Sequence, residues 1–490
     1  MVISDDLKQQ LFSLAEKIKH IRLKPIYLVL LVFLAVRAVH IFTKFHFILW
    51  DEAVYIGIGK FLFSSGSVGL FEVIRPLGLP VILGFLWFLG LKHIFVYDLI
   101  MLAFSLGSIY LVYVIVKRMF GVTEGVVASV IFAITPVFFY NSMRILTEIP
   151  STFFLLLAIY FLIRNRVFQS GLSAGIAFMF KFTNILLFPA IVIILLFKYL
   201  KKREMFSRKF MLVLAGFLIA VSPYVILNQV SYGNFLEPII LASLHGNNPV
   251  HAVHDPLLNT FYYPINLFWD NMLLAFSLFS LLYLVKSRNV RMFVFLATVY
   301  MFVFAMITNK QLRFAITFLP FLSLLASVGM VKASRFVMRF RRGEIIYVFM
   351  IIVVLLFSWN SLYKDYHKFH SFPSERPAIV GEHYEYFKGM DTNITILTSD
   401  PVPVAYSDIR MIPYYSNIID AHIIYDRYVN RSDYVVFSGN PFPCFGYGCE
   451  LLKEELFAKI FENNELVSES AYGETKYIFR VVKKTETAGG

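Results

Sequence analysis

The sequence is poor in charge: only 16% of its 490 residues are Asp, Glu, Lys or Arg, while 58% are hydrophobic. With a mean hydropathy of +0.68, this excludes an ordinary soluble globular chain, which could not cover so much apolar surface, and places the sequence in the membrane class. Cysteine is almost missing. Cys444 and Cys449 are the only two, so the chain holds either one short disulfide loop or a pair of free thiols. No small-residue cleavage site follows the first apolar run, residues 26–43, and a polar leader precedes it; the run is expected to be a signal anchor rather than a removed signal peptide. No internal repeat is visible, which weighs against the paired halves of a secondary transporter.

What the sequence has is a succession of apolar runs. A spanning helix needs about 20 mostly apolar residues to cross about 30 Å of hydrocarbon, and candidates lie at 26–43, 98–116, 124–141, 149–163, 210–228, 271–285, 291–308, 314–331 and 345–359. Two stretches, 76–91 and 168–197, are ambiguous. The net charge of +13 resolves both, because basic loops stay cytoplasmic. With the N-terminus inside, every later cluster (Lys117 and Arg118, Arg164 and Arg166, Lys198 to Lys209, Lys286 to Arg291, Lys332 to Arg342) falls on the same side under one condition. Residues 76–91 must not span, and 168–197 must fold back on itself near Lys181 to Asn184. The expected fold is therefore polytopic and α-helical, with about eleven transmembrane helices and a re-entrant or juxtamembrane outer helix at 76–91.

After residue 360 the apolar runs shrink to strand length at 394–398, 434–438 and 477–482, with an amphipathic helix near 450–463. The expected organisation is a cytoplasmic leader over 1–24, a transmembrane domain over 25–360 and a small extracytoplasmic α/β domain over 361–490. The transmembrane part includes outer loops at 44–97 and 229–270. Two glycosylation sequons, at Asn393 and Asn430, fall in this tail and agree weakly with an outside location.

Sorted by side, the polar residues of the membrane part gather at the outer level. Asp51 and Glu52 open an interfacial helix, where a carboxylate can take the proton of an acceptor hydroxyl or simply cap the helix. Arg37 and His40 lie within the first span and, with Lys44, share a helix face that leads toward Asp51; a charge at that depth is costly and points to function or pairing, although an arginine can also snorkel to the interface. Arg75, Arg144, Glu148, Lys181, Lys310, Gln311 and Arg313 follow at a similar level. Cations beside carboxylates at headgroup depth suit a phosphate-linked lipid substrate, and attraction to anionic lipid is the alternative. His245, His251, His254 and Asp255 have no metal-binding template and read as ordinary loop residues. No metal ligand is assigned, and a divalent ion as cofactor is left open.

In order along the chain, Arg37, then Trp50-Asp51-Glu52-Ala53-Val54-Tyr55, Arg75-Pro76-Leu77, Thr147-Glu148-Ile149-Pro150, Lys181-Phe182-Thr183 and Lys310-Gln311-Leu312-Arg313-Phe314 resemble the GT-C glycosyltransferases. The protein O-mannosyltransferase and aminoarabinose transferase branches are the most similar, over about residues 25–360. The resemblance implies an enzyme that moves a sugar from a polyprenyl phosphate to a hydroxyl of a protein, glycan or lipid acceptor on the outer face, with inversion. It implies catalytic roles for Asp51 as base and for Glu52, which would orient the acceptor or support Asp51, and substrate contacts from Arg37, Arg75, Glu148, Lys181, Lys310 and Arg313. The sequence departs from the group at Leu77, where a second proline is common, and at Phe314, where Tyr is frequent. It also lacks the Trp-Trp-Asp signature of oligosaccharyltransferases. Two other functions are compatible with the residues: a transporter or flippase of lipid-linked sugars, which would place its charges at the midplane, and a receptor or assembly factor, which would not need Asp51.

Overall fold

Hydrocarbon leaves no water for backbone amides, so apolar runs of this chain have to satisfy their own N–H and C=O groups as helices. The computed structural model describes residues 24–246, 256–339, 343–415, 418–438, 448–472 and 474–482. Its first helices are α1 (Pro25–Thr43), α2 (Trp50–Phe63), α3 (Gly78–Phe88), α4 (Ile94–Met119), α5 (Val122–Ala133), α6 (Pro136–Asn141), α7 (Glu148–Ile163) and α8 (Val167–Phe180). They are followed by α9 (Leu187–Tyr199), α10 (Arg203–Tyr232), α11 (Glu237–Gly246), α12 (Pro256–Asp270), α13 (Ser277–Leu281), α14 (Arg288–Met306), α15 (Leu319–Val337) and α16 (Gly343–His370). Among the described residues seven helical stretches are long and apolar enough to cross a membrane, and five shorter apolar helices accompany them. The chain is an integral membrane protein.

Several expected runs are interrupted, each for a local reason. The run 124–141 splits into α5 and α6 because Pro136 has no N–H and pushes Thr135 out of the helical region, to φ −77° and ψ 119°. The run 271–285 becomes a 3-10 turn, Met272–Phe276, and the five residues of α13. α3 has 11 residues, about 16 Å of helix, too short to cross alone; it packs along α2 instead. Residues 168–197 break at Lys181, whose backbone is extended at φ −155° and ψ 117°, as a fold-back there requires. α8 and α10 then pack at backbone contact. A Cβ on Gly171 would run into the Val213 carbonyl, and one on Gly216 into that of Phe168, the small-residue packing expected where no hydrophobic effect separates helix from lipid.

The sheet domain contains β1 (Thr395–Thr398), β2 (Arg410–Pro413), α17 (Ile418–Tyr428), β3 (Tyr434–Ser438), α18 (Cys449–Asn463), β4 (Asn464–Tyr472) and β5 (Glu474–Val481). The strand order is β2-β1-β3-β5-β4; β2, β1 and β3 run parallel, and β5 and β4 add antiparallel. Leu397, Val435, Leu456, Ile460 and Phe479 fill its core. Cys449 is disulfide-bonded; Cys444 lies outside the described residues. The domain is fastened to α2. Gly69 N–H donates to Ile409 O at 2.9 Å, and Met411 N–H to Gly69 O at 2.8 Å, extending the sheet edge. The buried ammonium of Lys60 donates to Val404 O at 2.8 Å and Ser407 O at 3.0 Å, and it pairs with Asp408 at 3.1 Å. These contacts fix the direction in which the first turn of α2 presents its carboxylates.

Candidate active site

α2 starts at Trp50 because Glu52, two residues on, reaches back to accept the Leu49 N–H at 2.7 Å, half of a capping box. Asp51 therefore sits in the first turn, where the helix dipole favours an anion. It is held between two arginines: Oδ1 lies 3.0 Å from Arg75 and Oδ2 accepts from Arg313 at 2.6 Å. Arg75 comes from the turn before α3, is steadied by Glu72 at 3.2 Å and lies over the Tyr55 ring at 5.7 Å. Arg313 comes from the 3-10 segment Leu312–Thr317 before α15 and is oriented by Gln311, whose Oε1 accepts from its Nε at 2.6 Å.

The row of charges continues. Glu148, buried at the start of α7, lies 3.8 Å from Arg313 and 3.0 Å from Lys181. Lys181 stands at the break after α8, with its ammonium 4.3 Å above the Phe314 ring. Glu72, Arg75, Asp51, Arg313, Glu148 and Lys181 thus form one alternating chain. Burial alone would raise the Asp51 carboxyl, but Arg75 and Arg313 outweigh it and hold it well below the usual carboxylate range. The resting Asp51 is an ionised, weakly basic carboxylate.

Glu52 points elsewhere. Adjacent helical residues are turned about 100° apart, and Glu52 is fully enclosed on the far side of α2. Its oxygens take Ile145 N–H at 2.8 Å, Leu49 N–H at 2.7 Å, His46 at 3.0 Å and Arg144 at 3.4 Å. His46 is also bound to Asp98 of α4 at 2.8 Å. Glu52 is a brace between the loop before α2, α4 and the segment after α6, not a support in contact with Asp51. Burial disfavours the His46 imidazolium, but Asp98 and Glu52 overcome this and lift its pKa to about 9. A histidine whose folded pKa exceeds its unfolded value of about 6.5 gives its full stabilisation below pH 6.5 and loses it as pH rises through 9. Thermal unfolding in detergent is therefore expected to show falling stability from about pH 6.5 to 9, and His46→Gln is expected to flatten that part of the profile.

The other sequence candidates are not at Asp51. Arg37, fully buried, donates to Ser142 O at 2.8 Å and bonds His40 at 2.9 Å, tying α1 to the end of α6. Lys44 bonds Ser374 at 2.9 Å, so the polar face of α1 leads to residues 372–374. Lys310 donates to the carbonyls of Phe304 and Ala305 at 2.9 and 2.6 Å, capping the C-terminus of α14. Glu72 was not singled out from the sequence; its place three residues before Arg75 was the available signal. His251, His254 and Asp255 lie outside the described residues. Among the described residues no three His, Cys, Asp or Glu side chains converge as metal ligands. Asp51 and Glu148 are met by cations, so this donor set does not fit a divalent ion.

Residues 75–227 match the family model described as dolichyl-phosphate-mannose-protein mannosyltransferase. No curated protein sequence matches the chain. Among solved structures, ArnT from Cupriavidus metallidurans bound to undecaprenyl phosphate aligns with a TM-score of 0.65 at 12% identity, over 95% of this chain and 99% of that one. The Archaeoglobus fulgidus oligosaccharyltransferase in its apo form aligns with a TM-score of 0.60 at 11% identity, over 96% of this chain and 75% of that one. The same archaeal enzyme in complex with an inhibitory peptide and a dolichol-phosphate gives 0.58 at 12% identity, over 96% and 75%. The chain has the GT-C fold, and the resemblance read from its sequence, to the mannosyltransferase and ArnT group, is what these comparisons return.

Proposed function

We propose that this protein is a membrane glycosyltransferase that takes a sugar from a polyprenyl-phosphate donor and transfers it, with inversion, to a hydroxyl of a protein, glycan or lipid acceptor. The observation that supports this most is the carboxylate of Asp51 held between Arg75 and Arg313 in the first turn of an interfacial helix. That arrangement sets a base for the acceptor beside cations for the phosphate. In the reaction the acceptor hydroxyl gives its proton to Asp51 while its oxygen attacks the anomeric carbon from the face opposite the phosphate. The bond from that carbon to the phosphate oxygen breaks, and its electron pair leaves on the polyprenyl phosphate, whose charge Arg75, Arg313 and Lys181 neutralise.

The low basicity of resting Asp51 gives this arrangement an order. An arriving phosphate competes for the same arginines, weakens their hold on Asp51 and so raises its affinity for a proton. The base is strengthened by the donor. The basic loops put the N-terminus in the cytoplasm and the sheet domain outside, with chemistry at the outer face of the plasma membrane, or of the endoplasmic reticulum membrane in a eukaryote.

The test is transfer of radiolabel from a polyprenyl-phosphate-linked sugar by the purified protein, with the anomeric configuration of the product determined. Inverted product is expected; retention of configuration would refute the mechanism, and transbilayer movement of intact donor without transfer would establish a flippase instead. Arg313→Ala is expected to weaken binding of polyprenyl phosphate by about 10- to 100-fold, the loss of a charge-assisted contact of about 1.5–3 kcal/mol, as measured by titration. Unchanged affinity would remove Arg313 from the phosphate site.

A further inference from the structure

Beyond the charged row, one residue of the sheet domain reaches the same place. β2 ends at Pro413, and the next two side chains diverge. Tyr414 turns into the sheet, where its hydroxyl donates to Val436 O at 3.1 Å and its N–H to Thr398 O at 3.0 Å. Tyr415 turns toward α2, and its ring meets that of Trp50, the neighbour of Asp51, edge to face at 4.6 Å between centroids.

Tyr415 is only 8% exposed, and among the described residues its hydroxyl has no hydrogen-bond partner. It nevertheless lies in the field of Glu72, Arg75, Asp400 and Asp51. A buried hydroxyl left unpaired opposes folding, so its presence beside the proposed base calls for a partner that the described residues do not supply. Its position agrees. β1 has β2 on one side and β3 on the other, and Asp400 and Tyr415 both follow the carboxyl ends of parallel strands. That crevice is where ligands of open α/β sheets bind.

The charges around Tyr415 select the ligand. Each of these carboxylates is already met by a cation, Glu72 by Arg75, Asp51 by Arg75 and Arg313, and Asp400 by Lys476, so the balanced charges give a phosphate no net attraction to Tyr415, whereas a neutral group that donates hydrogen bonds fits. We infer that Tyr415 is an acceptor-contacting residue: its hydroxyl bonds a neutral, hydroxyl-bearing acceptor next to the oxygen that Asp51 deprotonates. The sheet domain thereby selects the acceptor, and the membrane part holds the donor. This rests on the proposed transferase activity.

Tyr415→Phe in the full-length protein tests it, because the ring and its contact with Trp50 stay while the unpaired hydroxyl goes. The expected result has three parts: transfer falls at least tenfold in kcat/KM for the acceptor, KM for the polyprenyl-phosphate sugar does not change, and the melting temperature holds or rises. Equal transfer by variant and wild type overturns the inference and leaves the transferase reading standing. A melting temperature that falls in step with activity also overturns it, since the hydroxyl would then be structural. Absence of transfer by the wild type itself, with every donor lipid offered, overturns both readings together.

Discussion

Replacing Asp51 by Asn is expected to lower turnover by about 10²–10⁴-fold, the usual contribution of a positioned general base, while donor binding survives. The amide has nearly the same shape, so the first turn of α2 keeps its geometry. It cannot take a proton from an acceptor hydroxyl. It also stops competing for Arg75 and Arg313, which now face Asp51 at 3.0 and 2.6 Å; the freed guanidiniums should bind polyprenyl phosphate at least as tightly as before. Lost turnover with retained donor binding is the combination that separates a base from a phosphate ligand. Transfer by Asp51→Asn at the wild-type rate would sink the mechanism.

Glu52→Gln is expected to act on stability rather than on chemistry. Glu52 meets four donors, and a glutamine must turn an NH2 group toward at least one of them. It would also leave His46 and Arg144 with a shared anion missing. Removing one member of a buried ionic network costs about 3–5 kcal/mol, to be read as a drop in melting temperature and in yield of folded protein in detergent. The double variant with His46→Gln should lose less than the sum of the two singles, because both changes break the same contact. A Glu52→Gln protein of unaltered stability and no activity would overturn the brace and return Glu52 to catalysis.

These two neighbours show what was legible in the sequence. Charged residues in an apolar chain stand out, and basic loops give their level across the membrane, so Asp51, Arg75, Glu148, Lys181 and Arg313 were all found and all converge. Level does not give rotation about the helix axis. Arg37 and Glu52 share the level and yet serve other contacts, because a helical side chain one residue along already faces another way, and Lys310, in the loop after α14, folds back onto the carbonyls of Phe304 and Ala305. Glu72 and Tyr415 sit in turns without periodicity, and only the tertiary fold brings them to Asp51.

The sheet domain divides in the same manner. β1 and β3 were visible as short apolar runs, and α18 as an amphipathic one. β4, Asn464–Tyr472, is an edge strand that mixes Glu and Ser with Leu and Val, so its pattern does not differ from a loop. β2 begins on Arg410 and ends on Pro413, so only two apolar residues stand between a charge and a proline, and no run marks it.

The anchoring of Lys60 bears on how the protein can be dissected. Its ammonium is satisfied by two carbonyls and a carboxylate of the sheet domain, and Gly69 completes an edge of that sheet. A chain cut near residue 370 would strand a buried cation and an open row of amides beside the helix that bears Asp51. The two halves are thus not interchangeable modules. Chimeras that swap sheet domains to alter acceptor choice should carry the 50–92 segment along with the graft.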